Sequence, residues 1–274
     1  MKLTIRDSTS KNQDVLTNDL PLKRIRHPTH VLYLSAIAHR ITTQYGVSTA
    51  EIATAMAQAM NPPQANCWNG SGWDELTTII WQGITVQVTA ANDLLFQVHD
   101  RAIASWLNGL VEQPLSLPAS LPPASPPLNP FPLQSAHARC CSLLRLADRT
   151  GLISLQQPEA NPLTWQWLQP APISWLTATE QLYVNHLAER CLISQICTVL
   201  DMWFEPSPPA KVVVQQAERL AQVFEEAHRA YPIWGDRSPE ARDQQQSHLG
   251  LLLVTQRVLQ CCLDGLGIPA PTEL

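Results

Sequence analysis

Residues 133–145, Leu133-Gln134-Ser135-Ala136-His137-Ala138-Arg139-Cys140-Cys141-Ser142-Leu143-Leu144-Arg145, decide how this chain is read. On a helix turning about 100° per residue, Leu133, His137, Cys140, Cys141 and Leu144 gather on one side. Ser135, Arg139, Ser142, Arg145 and Arg149 fall within about 120° on the other. The spacing predicts an amphipathic helix over 133–149, its histidine turned to the core and hydrogen-bonded to a backbone group. The arginine stripe faces out. It is either a solvated face or a surface for phosphates and bases, both of which suit guanidinium groups.

Helical spacing continues toward the C-terminus over 177–203, 210–230 and 239–264. Ser238-Pro239 reads as a helix start, and Gly265, Gly267 and Pro269 mark its end. These helices predict an all-α bundle over 133–274, with an irregular insertion at 151–176. Trp165, Trp167 and Trp175 lie in that insertion among prolines. They either pin it to the bundle or stack on unpaired bases.

Working outward in the other direction, residues 113–132 hold 8 of the chain's 23 prolines. That density forbids helix or ladder and predicts a semi-rigid linker of polyproline II character, reaching roughly 60 Å. Before it, 31–112 predicts a small α+β domain in the order ααββα. Its helices are expected over 31–45 and from a capping box at Ser48-Thr49-Ala50-Glu51 to a stop at Asn61-Pro62-Pro63. Strands are expected over Thr77–Trp81 and Ile84–Ala90, with a closing helix over Asn92–Leu107. Residues 1–30 read as a polar basic tail, a flexible arm whose charge is bunched at Lys23, Arg24 and Arg26. The arm is either solvated or docked on acidic surface, or it adds phosphate contacts.

Two segments of the C-terminal half, 133–145 and Leu252 to Leu274, resemble the helical anticodon-binding domain of arginyl-tRNA synthetases, the DALR domain. That family's first helix carries Gln-Tyr-Ala-His-Ala-Arg, matched here by Gln134 to Arg139. Its closing Gly-Ile-x-Ala-Pro is matched by Gly267-Ile268-Pro269-Ala270-Pro271. Leu220-Ala221-Gln222-Val223-Phe224 resembles the family's Leu-Ala-x-x-Phe segment. The departures are Ser135 for the motif tyrosine, and Ala227-His228 with a displaced Tyr231 where synthetases carry Phe-Tyr. The 31–112 unit is similar to the synthetases' additional N-terminal domain, without its Gly-Pro-Gly-Phe-Ile-Asn stretch. Where a synthetase carries its catalytic domain, this sequence has the proline-rich stretch. Signatures of the His-Ile-Gly-His and Lys-Met-Ser-Lys-Ser type are not found, and His27-Pro28-Thr29-His30 lacks the glycine.

The resemblance implies a non-catalytic synthetase relative, an adapter or accessory module that binds tRNA, arginine tRNA by analogy. Its tRNA-contacting candidates are Arg139, Arg145, Arg149, Ser135 and Gln134, with Lys23, Arg24 and Arg26 as a basic arm and Trp165 and Trp167 as stacking positions. The rival is a protein-interaction or regulatory scaffold that kept the fold without RNA recognition. Composition bears on both. With 18 basic against 23 acidic residues and a net charge of −5, coating nucleic acid by charge alone is excluded. Any RNA contact must be local.

The charge is unevenly spread: the tail counts 6 basic against 3 acidic residues, and 31–112 counts 2 against 6. The seven cysteines include the adjacent pairs Cys140/Cys141 and Cys261/Cys262 and no Cys-x-x-Cys, so neither a disulfide framework nor a metal site is expected. No nucleophile–base set, paired carboxylate or phosphate-cradling glycine loop is legible, and no enzyme activity or cofactor is expected. The start lacks the apolar core of a signal peptide, and no apolar run reaches the roughly 20 residues of a membrane span. A cytoplasmic protein is expected.

Overall fold

The computed structural model describes residues 21–61, 75–113, 115, 129–156, 165–203, 208–230 and 239–273. Residues 1–20 of the expected tail, most of the proline-rich stretch, Pro62-Pro63, Tyr231 and Ser238 lie outside the described residues. The chain groups into two compact units, Met1–Ala102 and Ile103–Leu274.

The described part of the first unit is a four-stranded antiparallel sheet with helices on it. Strands β1 (Lys23–Ile25), β2 (Val31–Ser35), β3 (Ile84–Val88) and β4 (Leu94–Val98) lie in the order β1-β2-β4-β3. Helices α1 (Ile37–Tyr45), α2 (Thr49–Met60) and α3 (Glu75–Gln82) fall between β2 and β3, and α4 (Asp100–Glu112) follows β4. Ala53, Ala57 and Met60 of α2 and Trp81 of α3 pack on Ile84, Val86, Leu94 and Phe96, alternate positions of β3 and β4 that share one sheet face. Gly83 sits where chain meets chain: a Cβ there would lie 2.7 Å from Ala102 Cβ.

Several sequence expectations change here. Lys23–Ile25, expected in a flexible arm, form an edge strand paired with Leu32–Leu34. Residues 31–35, expected as helix, are β2, a Val-Leu-Tyr-Leu run that pairs on both sides, with β1 and β4. Thr77–Trp81, expected as strand, lie in α3. Residues 94–98, expected as helix, are β4. A short apolar run fits either period, and here pairing partners override local propensity. The β3–β4 hairpin is closed by Asn92 in the left-handed region at φ 61°, with the Asn92 amide donating to Thr89 O and the Thr89 amide to Asp93 O, both at 2.9 Å.

Helix α2 begins and ends as expected, with Ser48 and Asn61 as its caps. Ser48 makes no side-chain cap bond, however. Asn61 does more than end the helix. Its amide nitrogen donates to Val86 O and its carbonyl accepts from Val86 N, each at 2.8 Å, so one side chain pairs the edge of β3 as a neighbouring strand would.

The second unit is built from α5 (Phe131–Arg149), α6 (Leu187–Trp203), α7 (Ala210–Ala230) and α8 (Pro239–Gly265), with a small hairpin of β5 (Ser154–Gln156) and β6 (Gln166–Gln169). Most of α4, from Ile103 on, groups with it, so the division between units falls inside α4 and not at 113–132. Helix α6 starts ten residues later than the spacing at 177 suggests. His186 caps it: Ala188 N donates to His186 Nδ1 at 3.2 Å, and Glu189 Oε2 accepts from His186 N at 3.0 Å. This reciprocal pair is a capping box with histidine as cap.

Helix α8 is the spine, buried from Gln246 through Leu263. A helix buried nearly all round is central to its unit. Three of its buried polar residues hold backbone outside the helix: Gln246 donates to Leu152 O at 2.9 Å and Ser247 to Ser174 O at 2.6 Å, and Arg257 is the third. Arg257 donates from Nη1 to Leu110, Val111 and Gln113 carbonyls at 2.7, 2.9 and 3.0 Å, and from Nη2 to Trp165 O at 2.7 Å. One buried cation thus satisfies the carbonyls at the C-terminal end of α4, where the helix dipole is negative. The side chains of His248 and Glu189 meet in the interior, joining α8 to α6. The helix closes across Gly267, at φ 65°, with Ile268 N donating to Leu263 O at 2.9 Å.

Candidate nucleic-acid interface

Helix α5 carries the motif residues, and its two sides do different work. On the inner side, His137 is fully buried. Its Nδ1 donates to Pro271 O at 2.8 Å, and its Nε2 faces the Gln256 amide nitrogen at 2.8 Å. A carbonyl can only accept, so Nδ1 carries the proton and Nε2 accepts from Gln256. Burial holds the imidazole below its ordinary pKa, which keeps it neutral in this role. Gln134 Nε2 donates to Pro269 O at 3.0 Å, and Arg145 Nη2 donates to Thr272 O at 2.8 Å. The segment after α8 is therefore laced along α5 by Gln134, His137 and Arg145.

Arg145, expected on the outward stripe, and Gln134, expected as a tRNA contact, belong in the fold to this lacing. Arg145 sits at the limit of the arc and is long enough to reach across it. Its Nη1 pairs with Glu273 Oε1 at 2.7 Å, and its guanidinium lies 5.7 Å from the Trp165 ring centroid.

On the outer side, Arg139 and Arg149 are exposed and Ser135 is half-buried. Arg139 pairs with Glu225 of α7 at 2.7 Å. Arg149 lies in the last turn of α5, where a cation is favoured by the dipole. Across from Arg139, His228 is half-buried and stacks on Phe224, with ring centroids 6.0 Å apart and planes at 13°. Burial, and then the nearby Arg139 charge, hold His228 below its ordinary pKa. This ring stands where the sequence departs from the synthetase aromatic pair, and sequence reasoning counts it only as a loss.

The tryptophans divide similarly. Trp165 is buried, with its carbonyl taken by Arg257, so it is a packing residue and not a stacking platform. Trp175 is buried against α8, where a Cβ on Gly250 would come within 2.7 Å of its ring. Trp167 is half-buried, and its indole N–H donates to Pro170 O at 2.6 Å. In the first unit, Arg24 donates to Tyr33 Oη at 3.0 Å and lies over that ring, so it belongs to the sheet. Lys23 and Arg26 are exposed. Among the described residues no group of three or more His, Cys, Asp or Glu side chains is placed to hold a metal ion. The thiol of Cys141 is pushed up to about 12 and that of Cys261 to about 11 by burial.

Compared with known families, residues 133–274 match the DALR anticodon binding domain, beginning at the first core leucine of α5. The chain belongs to this family. No curated protein matches it. Within the DALR unit the matched limits are the two motifs that lace together, so the ends of the match meet in space through His137 and Pro271. No helix among the described residues is long and apolar enough to cross a membrane.

Proposed function

We propose that this chain is a non-catalytic arginyl-tRNA synthetase-like protein that binds tRNA through its DALR unit, as an adapter or accessory module in the cytoplasm. The family match over 133–274 carries this reading, since DALR domains are anticodon-binding modules. The exposed Arg139 and Arg149 beside the His228 ring supply what a tRNA loop needs locally: cations for phosphate and a flat ring for a base. Arginine tRNA is the analogue implied by the motifs. The lack of nucleotide-site signatures in the sequence supports a binding role without amino-acid activation.

One observation favours a second reading, a protein-interaction scaffold. Arg139 and Arg145 are each matched by an acid of the same unit, which reduces the positive field that RNA would meet. Titration of labelled total tRNA against salt separates the two. The tRNA reading expects binding at low salt that falls steeply as salt rises, and no charging when ATP and arginine are added. Salt-independent or absent binding sinks it in favour of the scaffold, and robust aminoacylation sinks the non-catalytic assignment.

A further inference from the structure

The two arginine–carboxylate pairs of α5 differ in a way that points to a site. Arg139 is matched by Glu225, fixed on α7 with its side chain 22% exposed. Arg145 is matched by Glu273, whose side chain is 79% exposed, while Arg145 itself is 32% exposed. The guanidinium is held independently of that acid. Thr272 O takes Nη2, and the Trp165 ring lies beneath it, its own backbone fixed by Arg257. The carboxylate, by contrast, is held by Arg145 alone among the described residues. Gln134 and His137 pin the carbonyls of Pro269 and Pro271, and Arg145 pins Thr272, so Glu273 can swing away while the segment before it stays laced.

We propose that Arg145 is a phosphate-binding position, occupied in this structure by the chain's own Glu273 carboxylate standing in for a phosphate. A ligand phosphate displaces Glu273 and meets a guanidinium already oriented by Thr272 and Trp165. An exposed ion pair is weak, whereas a phosphate carries more acceptors and suits the guanidinium fork. Glu273 thus acts as a resident competitor. It lowers affinity for anions and screens out those that bind less well than a carboxylate. The proposal rests on the tRNA reading for the source of the phosphate, though not for the site's chemistry.

The test measures binding of two probes, total tRNA and inorganic tripolyphosphate, at low salt to the full chain and to Glu273→Gln, Arg145→Gln, Arg145→Lys and the Glu273→Gln/Arg145→Gln double variant. Glu273→Gln is expected to tighten binding about two- to fivefold, the range an exposed ion pair spans. Arg145→Gln weakens it, Arg145→Lys retains part of it, and Glu273→Gln has no effect in the Arg145→Gln background. Thermal melts check that each variant is folded, and Arg145→Lys keeps the charge should Arg145→Gln unfold. Equal tightening by Glu273→Gln with and without Arg145 overturns the proposal, because it would report net charge and not displacement. So does an unchanged affinity for both probes; if tRNA still binds, the tRNA reading survives that failure. If only tripolyphosphate shows the expected pattern and tRNA binds to no variant, the site stands and the tRNA reading falls. If neither probe binds, both fall.

Discussion

The inner and outer sides of α5 are built from one motif and answer to different demands. Gln134, His137 and Arg145 turn inward and lace the segment Pro269–Glu273 to the helix, whereas Arg139 and Arg149 remain exposed. The inner residues are therefore conditions for the DALR fold, joining its first helix to the segment beyond its last. The outer ones, and the edge of Arg145 that meets Glu273, are what remains to specify a partner. A motif that marks a family is thus a poor guide to its binding surface where the motif's polar groups are already satisfied within the fold.

Substitution separates the two sides most sharply. His137→Ala leaves Pro271 O and the Gln256 amide without their partner and opens a cavity in the core, so a loss of about 3 kcal/mol in denaturant-measured stability is expected. Arg149→Ala should cost less than about 0.5 kcal/mol, as surface positions usually do. Comparable losses at the two positions would erase the distinction.

Acid should act through the inner side too. Burial depresses the pKa of His137, and also of His228 on the outer side, so the unfolded chain binds protons more readily than the folded one. Stability is then full above the ordinary histidine value of about 6.5 and is lost as pH falls through the depressed folded values. Urea midpoints between pH 7.5 and 5 should fall, and His137→Gln should flatten that decline. An unchanged slope in the variant would assign the effect elsewhere.

Binding probes the outer side. Arg139→Ala and Arg149→Ala should each weaken tRNA binding and reduce the salt slope by roughly one, with no change in melting temperature beyond a few degrees. A slope indifferent to both places the partner on another surface. The smallest effect concerns the inner thiols: native protein at pH 8 should leave Cys140, Cys141, Cys261 and Cys262 unmodified by a thiol reagent, since all four are buried with raised pKa values. Rapid modification of Cys141 would mean that the laced segment opens readily.

The two units differ in how much of them could be read. In the DALR unit, α5, α7 and α8 are legible from helical spacing over long windows, and their ends from proline and glycine. The sheet unit resisted. Val31–Ser35, Thr77–Trp81 and Leu94–Val98 are apolar runs of about five residues, too short for a period to declare itself. The candidate site was half legible. The wheel separates His137 from Arg139 correctly, but places Arg145 on the open face because it carries no information on what packs at an arc's edge. His228 was visible only as a missing family aromatic, and its stacking on Phe224 needed coordinates.

The sequence by itself determined the helices α5, α7 and α8, the burial of His137 and the family to which residues 133–274 belong, because each rests on local periodicity or on a motif read in order along the chain. Tertiary structure alone decided which short runs are strands, that Arg257 closes the end of α4, and that Arg145 meets Glu273. Those outcomes depend on partners more than a hundred residues away, or on a second strand, and the energy of a hydrogen bond or an ion pair resides in the pair.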